Sequence, residues 1–254
     1  MPHGTPDWGL VGPKYTTYGL DDLGEHAVRL GSPVLWDRRG DVLVETDFRE
    51  GLGSFYANGG GLLWAVALHA GNARTGAYCV KLTAGSDGAL NAYLQKRLPR
   101  PVLAKVGLEF SFSCAAWTSA WEWQILWQAG SVLYTAYVRY DHVNGLLQTY
   151  EEPATWTTFA TVDVLYTDDH VQHTGKLVVD MGAVDAVGNP LPVYDRFHFN
   201  EQGYNLRLPP PAREVDRFPG GVPDEFLVTV VHSAVALHNP DGYVDNVIVT
   251  QNEP

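Results

Sequence analysis

The most informative features of this 254-residue sequence are the ones that it lacks. It has only two cysteines, Cys79 and Cys114, which is too few for a disulfide framework. A single disulfide is possible, but buried free thiols are the expectation. Charged residues make up 18% of the chain, its net charge is −12, and Lys and Arg are not clustered, so we expect no nucleic-acid partner.

Membrane and export signals are also missing. No stretch of about 18 apolar residues occurs, so the sequence predicts no membrane-spanning helix. The first residues, "MPHGTPDWG", do not combine a basic start with an apolar run, so we expect no secretory signal. The protein is therefore expected to remain in the compartment where it is made.

Recognisable catalytic and metal-binding motifs are absent too. There is no Gly-x-Ser-x-Gly nucleophile motif, and the nine histidines show neither His-x-x-x-His nor Cys-x-x-Cys spacing. His198 is interpreted as a solvated strand residue, and His232 as a hydrogen-bonded core residue. We therefore predict a protein that is not an enzyme and requires no cofactor.

Residues 1–44 differ from the rest of the chain. The segment "MPHGTPDWGLVGPKYTTYG" is rich in Gly, Pro and Thr and predicts an extended arm. A short helix is expected next, with Asp22 as N-cap, Glu25 completing a capping box, and Gly31 ending it. This helix is too short to form its own core. The helix must therefore pack either on its own domain or on a neighbouring subunit, and the sequence does not distinguish these two alternatives.

From about Val42 the sequence predicts short strands. Thirteen candidates, among them "NAYLQKRL" (91–98) and "LEFSFS" (108–113), alternate apolar and polar residues between turn signals such as "NGGG" and "VGNP". This pattern predicts an all-β, two-sheet antiparallel sandwich over residues 45–254. The proline-rich stretch 206–225 interrupts the pattern and is expected to be a long loop.

The stretch "WTSAWEWQILWQ" holds four of the eight tryptophans. In a continuous strand Trp117, Trp121, Trp123 and Trp127 would lie on one side, with Glu122, Gln124 and Gln128 on the other. Trp123 and Trp127 are interpreted as core. Trp117 and Trp121 flank "TSA", a possible turn, and either ring could be exposed.

The polar side of this strand is the candidate ligand site. Tyr137, Arg139 and Tyr150, on neighbouring strands, are expected to share it. The following residues are the candidate ligand-binding set: Trp117, Trp121, Glu122, Gln124, Tyr137 and Arg139. A plain solvated sheet face is the alternative.

The strand series resembles known families. "TDFREGLGSFYANGGG" (46–61) resembles the opening of jelly-roll carbohydrate-binding modules and laminin-G-like domains, and "GYVDNVIVT" (242–250) resembles their closing strand. The resemblance covers residues 45–251 and implies a concanavalin A-like jelly roll. It also implies one structural Ca²⁺ between the first and last strands, with Asp47, Glu50 and Asp245 as ligands; capping carboxylates are the alternative.

Hydrolysis is the third possibility for such a fold. Many concanavalin-like folds are β-glucanases whose catalytic strand resembles Glu-x-Asp-x-x-Glu, and this sequence has no such motif. A glycoside hydrolase is therefore the weakest of the three functional interpretations.

The N-terminal part, "GTPDWG…TTYGLDDLGEHAVRLGSPV…DRRGDV", resembles uncharacterised proteins of tailed bacteriophages. The sequence hypothesis is therefore a non-catalytic virion protein, a capsid decoration or appendage subunit. It would be homo-oligomeric and bind other virion proteins through residues 1–44. A carbohydrate-binding module that recognises a polysaccharide is the alternative.

Overall fold

The computed structural model describes the chain in segments that together form a β-sandwich. The described residues are 41–74, 77–85, 91–99, 104–114, 119–165, 168–207, 213–219, 226–234 and 240–253. They form sixteen strands and no helix. The predicted helix over 22–30, like the arm up to residue 40, lies outside the described residues.

The first sheet contains eight antiparallel strands. Their spatial order is β13 (Gln202–Asn205), β12 (Val193–Phe199), β11 (Asp168–Asp180), β6 (Lys105–Cys114), β16 (Asp241–Gln251), β4 (Cys79–Thr83) and β3 (Ala65–His69), and β1 (Asp41–Thr46) also pairs with β16. Because β1 begins at Asp41, residues 41–44 belong to the sandwich. The sequence interpretation had assigned these four residues to the arm.

The second sheet also contains eight antiparallel strands. Their order is β10 (Thr155–Thr161), β9 (Leu146–Glu151), β8 (Val132–Asp141), β7 (Ser119–Ala129), β15 (Phe226–Ala234), β5 (Asn91–Leu98) and β2 (Tyr56–Gly60), and β14 (Asp216–Pro219) also pairs with β8. The all-β antiparallel sandwich that the sequence predicts is confirmed.

Aromatic residues fill the space between the sheets. Trp123 and Phe110, from opposite sheets, stack with ring centroids 4.5 Å apart, and Phe112 lies 5.1 Å from Trp121. Because alternate strand residues point to opposite faces, Trp121, Trp123, Ile125 and Trp127 of β7 all enter this core. The interpretation of Trp123 and Trp127 as core is confirmed, since both are buried.

Two expectations about buried polar residues are also tested. Cys79 and Cys114 are both buried and form no disulfide with each other, which confirms the thiol interpretation. His232 is fully buried as predicted. However, neither of its ring nitrogens makes a hydrogen bond of normal geometry to a described residue, and only the Leu82 backbone interacts weakly with the ring, which raises the His232 pKa slightly against burial.

Candidate functional site

The outer surface of the second sheet carries two rows of aligned side chains. We call these rows together the polar face. One row comprises Tyr56, Gln95, Thr229, Gln124, Tyr137, Tyr150 and Trp156. The other comprises Asn58, Tyr93, Val231, Glu122, Arg139, Gln148 and Thr158. Both rows cross all seven strands from β2 to β10.

The register explains why these residues align. Glu122 pairs with Arg139 and Gln124 with Tyr137 across β7 and β8, and Tyr137 pairs with Tyr150 across β8 and β9. Directly opposed residues in an antiparallel pair share one side of the sheet. At about 4.8 Å for each of six strand-to-strand steps, the rows extend for about 29 Å.

Aromatic rings are concentrated at the β8–β10 end of the polar face. Tyr137 and Tyr150 stack with their centroids 5.5 Å apart and an interplanar angle of 26°. Trp156 follows at 5.1 Å from Tyr150. All three are half-buried, so each ring keeps part of its surface in contact with solvent. Together the three rings form a surface on which a flat apolar part of a ligand can pack.

Arg139 is fixed within this cluster. Its guanidinium lies over the Trp156 ring, 4.1 Å from the centroid. Its Nε and one Nη donate to Oε1 of Gln148 at 3.1 and 2.7 Å. In turn, Nε2 of Gln148 donates to the Thr158 hydroxyl at 3.1 Å. These contacts orient the aromatic and amide groups before any ligand arrives.

Glu122 and Gln124 occupy the middle of the polar face. Gln124 Nε2 donates to Oε2 of Glu122 at 2.7 Å. Burial raises the pKa of the Glu122 carboxyl above its usual range, while the hydrogen bond from Gln124 and the charge of Arg139 oppose this rise. Burial also raises the pKa of Tyr137, and the nearby Glu122 carboxylate adds to that effect. Tyr137 is therefore neutral at physiological pH.

The β2–β5 end has a second, smaller group of polar and aromatic side chains. Asn58 Nδ2 donates to Gln95 Oε1 at 3.2 Å, and Gln95 Nε2 donates to the Thr229 hydroxyl at 3.3 Å. Tyr56 and Tyr93 lie in the same rows. The sequence interpretation missed this end because β2 reads "YANGG", in which three of five residues are turn formers.

The structure brings together four of the six candidate ligand-binding residues. Glu122, Gln124, Tyr137 and Arg139 all lie on the polar face, together with Tyr150 as predicted. Trp121 does not: it is fully buried between the sheets, 4.7 Å from His232, because β7 is regular at this point and keeps the odd-residue side inward. Trp117 lies outside the described residues.

Gln128 also departs from the sequence interpretation. The sequence interpretation placed it on the solvent-facing side of β7, yet the residue is buried, with an exposed fraction of only 5%. Its amide nitrogen donates to the Gly130 carbonyl at 2.9 Å, so the side chain folds back onto the turn that follows the strand.

The calcium site stays a prediction, although Asp47, Glu50 and Asp245 do not form a cluster of three carboxylates in the described part of the chain. Within the described segments no group of three or more His, Cys, Asp or Glu side chains is placed to hold an ion. Asp47 pairs with Arg49 in a surface turn at 2.5 Å, and Glu50 is exposed. The buried carboxylate of Asp245 accepts the Arg74 backbone N–H at 2.8 Å, and the Arg74 guanidinium adds a nearby positive charge.

Comparisons with known proteins bear on the fold. No protein family matches the chain, and no curated protein matches it. The chain resembles a solved Bacillus subtilis protein of unknown function with a galectin-like fold, with a TM-score of 0.50 and 8% identity, covering 84% of this chain and 96% of that one.

Two further similarities are weaker. A Bacillus licheniformis β-glucanase has a TM-score of 0.46 and 8% identity, with coverage of 85% and 100%. A sialidase has a TM-score of 0.46 and 9% identity, and the aligned part is 84% of this chain but only 19% of the sialidase. At 8% identity the similarity to the Bacillus subtilis protein shows the fold alone, a concanavalin-like jelly-roll sandwich. No helix that could cross a membrane is found in the described part of the chain.

Proposed function

We propose that this protein is a non-catalytic carbohydrate-binding protein that holds an extended glycan along the polar face. The observation that carries the proposal is the pair of rows that crosses seven strands with rings at both ends and amides between them. Aromatic rings pack against the apolar C–H surfaces of sugar rings, and amide groups both donate to and accept from sugar hydroxyls.

The length and the openness of the rows support an elongated ligand. The rows reach the edge strands β2 and β10, at which the second sheet ends. Within the described segments no strand of this sheet lies beyond β2 or β10, so a ligand that lies across the strands can extend past both edge strands. We propose that the interior of a linear chain is bound, rather than a chain terminus.

Charge supports a neutral glycan. The two rows contain one carboxylate, Glu122, and one cation, Arg139. These two groups lie opposite each other, so their charges partly cancel. Two N–H groups of the Arg139 guanidinium already donate hydrogen bonds to Gln148. An anionic polysaccharide would meet no uncompensated cation in these rows and would approach a chain of net charge −12.

The carboxylate count supports binding without hydrolysis. Glycoside hydrolysis uses two carboxyl groups that flank the scissile bond. The rows supply only Glu122.

The virion hypothesis stays a prediction. It depends on residues 1–44, and 1–40 lie outside the described residues. Its proposed partners and location are accordingly untested, whereas the carbohydrate interpretation draws on side chains that the structure places.

Glycan-array screening of the full chain tests the proposal. We expect binding to neutral linear glycans, and the Trp156→Ala variant should lose at least tenfold in affinity because it removes a ring and the surface on which Arg139 rests. Tyr78→Ala is the matched control, since Tyr78 is an exposed aromatic residue outside the two rows. Equal losses in both variants, or no binding by the wild type, would refute the proposal. Release of reducing ends from the bound glycan would refute its non-catalytic part.

A further inference from the structure

One tyrosine of the opposite sheet reaches the backbone beneath the aromatic end of the polar face. Tyr194 belongs to β12 of the first sheet and is fully buried. Its hydroxyl accepts the backbone N–H of Tyr137 at 2.9 Å. Its own proton has two carbonyl acceptors, Tyr150 O at 2.5 Å and Tyr137 O at 3.1 Å. A single side chain therefore crosses the core to bind β8 and β9.

The hydroxyl lies where β8 changes its hydrogen-bonding partner. Residues 137–141 of β8 pair with β9, whereas residues 132–135 pair with β14. Tyr137 is the first residue of the β9 ladder, next to this branch point. Its N–H is bonded to the Tyr194 hydroxyl, and that hydroxyl reaches the Tyr150 carbonyl, so it bridges the two strands at the end of the ladder.

The same two residues carry the stacked rings on the other side of the sheet. Tyr137 and Tyr150 have their backbones tied to Tyr194 within the core, and their rings stack on the polar face. Trp156 then packs against Tyr150. The separation of the two backbones at this point sets the separation of the two rings, because side chains stand roughly perpendicular to a sheet.

We propose that Tyr194 is a positioning residue for the polar face, which sets the spacing and tilt of the Tyr137–Tyr150 ring pair without touching the ligand. The inference rests on the proposed function for its effect on glycan binding. Its structural part, the hydroxyl bridge between β8 and β9, stands on the contacts of Tyr194 alone.

Tyr194→Phe tests this role, because it removes the hydroxyl and keeps the ring in the core. The matched control is Tyr140→Phe. Tyr140 lies on β8 and faces the core from the second sheet; like Tyr194 it is fully buried, and its hydroxyl accepts one backbone N–H, that of Leu165 at 3.0 Å. Each variant thus loses one buried hydroxyl, but only Tyr194 contacts the backbone of the ring pair.

Glycan affinity should separate the two variants. Measured by calorimetry with the glycan selected on the array, and well below both melting temperatures, Tyr194→Phe is expected to bind about tenfold more weakly and Tyr140→Phe within about twofold of the wild type. Equal affinities in the two variants would overturn the positioning role while leaving the proposed function intact. No glycan binding by the wild type would instead refute the proposed function.

Amide hydrogen exchange decides the structural part without any ligand. In Tyr194→Phe the Tyr137 N–H loses its acceptor, so its exchange should be at least about tenfold faster than in Tyr140→Phe. Exchange at Tyr137 that is equal in the two variants would show that the hydroxyl does not hold this strand pair, and the inference would fail on that result alone.

Discussion

At the scale of single residues, buried charges are compensated by dedicated partners. Glu253, near the C-terminal end of the chain, is the clearest case. Its Oε1 lies 2.7 Å from Lys176 Nζ and its Oε2 lies 2.6 Å from an Arg196 nitrogen. The Thr250 hydroxyl donates to the same carboxylate. The last described residues are thereby fixed onto the first sheet.

Replacing Glu253 with Gln should destabilise the protein strongly. The amide keeps the shape of the side chain but removes the negative charge that lies 2.7 Å from the buried Lys176 ammonium. We expect a loss of about 3 kcal/mol in the free energy of unfolding, measured by urea denaturation. Glu201→Gln, at an exposed position, is the control and should change stability by less than about 0.5 kcal/mol. A loss in Glu253→Gln as small as that of the control would contradict the prediction.

Glu122 offers the opposite case, a carboxylate whose ionised form is disfavoured by its surroundings. Because burial raises its pKa, the folded state binds more protons than the unfolded state above the ordinary value of 4.5. Stability therefore falls as pH rises through the interval between the unfolded and folded pKa values. Glu122→Gln removes this dependence, so its melting temperature should exceed that of the wild type near pH 7.

The same variant supplies its own control at acidic pH. Below about pH 4 both states of the wild type carry a protonated Glu122, so the difference in melting temperature between the wild type and Glu122→Gln should shrink. A difference that grows as the pH is lowered would mean that Arg139 and Gln124 outweigh burial at this position. Thermal denaturation followed by circular dichroism at both pH values distinguishes the two results.

At the scale of elements, glycines of the first sheet make room for tryptophans of the second. An ideal Cβ at Gly175 of β11 would lie 2.0 Å from Trp123 Cζ2, and one at Gly242 of β16 would lie 2.5 Å from Trp121 Cζ2. The Gly175 carbonyl also accepts the Trp123 indole N–H at 2.9 Å. The closeness of the two sheets therefore depends on these two positions.

Gly175→Ala should loosen the contact between the sheets. The added methyl group overlaps a ring that is held by the core on all sides, so we expect a loss of about 3 kcal/mol in unfolding free energy. Gly203→Ala is the matched control on edge strand β13, where the nearest atom is the His198 ring at 3.2 Å, and we expect a change below about 1 kcal/mol there. Urea denaturation of both variants gives the comparison, and similar losses would contradict the packing argument.

Strands with clear alternation could be predicted from the sequence, and strands of unusual composition could not. The segment Asn91–Leu98 was predicted with its observed bounds, because apolar and polar residues alternate between turn signals. β14 was missed because Asp216–Pro219 lies in a proline-rich stretch and ends in proline, which sheet edges tolerate. The stretch "DRFHFNEQGYNL" (195–206), one of the thirteen candidate strands, is in fact part of the hairpin of β12 and β13, which turns at Asn200 with a φ of 51°.

The candidate site shows the same division. The alternation of odd and even residues along β7 was enough to place Glu122 and Gln124 on the side of the strand away from the tryptophans, because a regular strand fixes which side each residue faces. It could not place Tyr56 or Trp156, since pairing between distant strands sets their rows. Nor could it reveal that Arg74, from a loop 171 residues away in sequence, supplies the positive charge beside Asp245.

At the scale of the whole molecule, each sheet buries a histidine that is held neutral. His232 on β15 and His173 on β11 both have their pKa lowered to about 4, in each case chiefly by burial. Asn200, which lies 3.4 Å from His173 Nδ1, partly opposes the effect at that site. Protonation of either ring must therefore compete with the packing of the sandwich.

This arrangement predicts that the sandwich is destabilised by mild acid. Between pH 6.5 and about 4 the unfolded chain binds protons at both histidines and the folded protein does not, so stability is lost as the pH falls through this interval. For His232 the linkage corresponds to about 3 kcal/mol, at 1.36 kcal/mol per pH unit. Because neither histidine's charge contributes to the pKa shift of the other, their effects on the slope of stability against pH should add.

Urea denaturation at about pH 7 and about pH 5 measures that slope. His232→Gln should flatten it, whatever the variant's absolute stability, because the glutamine side chain does not titrate. The double variant with His173→Gln should flatten it further. Glu122 affects the slope of stability against pH in the opposite direction to the histidines. In a Glu122→Gln variant that keeps both histidines, stability should therefore fall more steeply as the pH is lowered. An unchanged slope in the double variant would show that the buried histidines are not what makes the folded protein sensitive to acid.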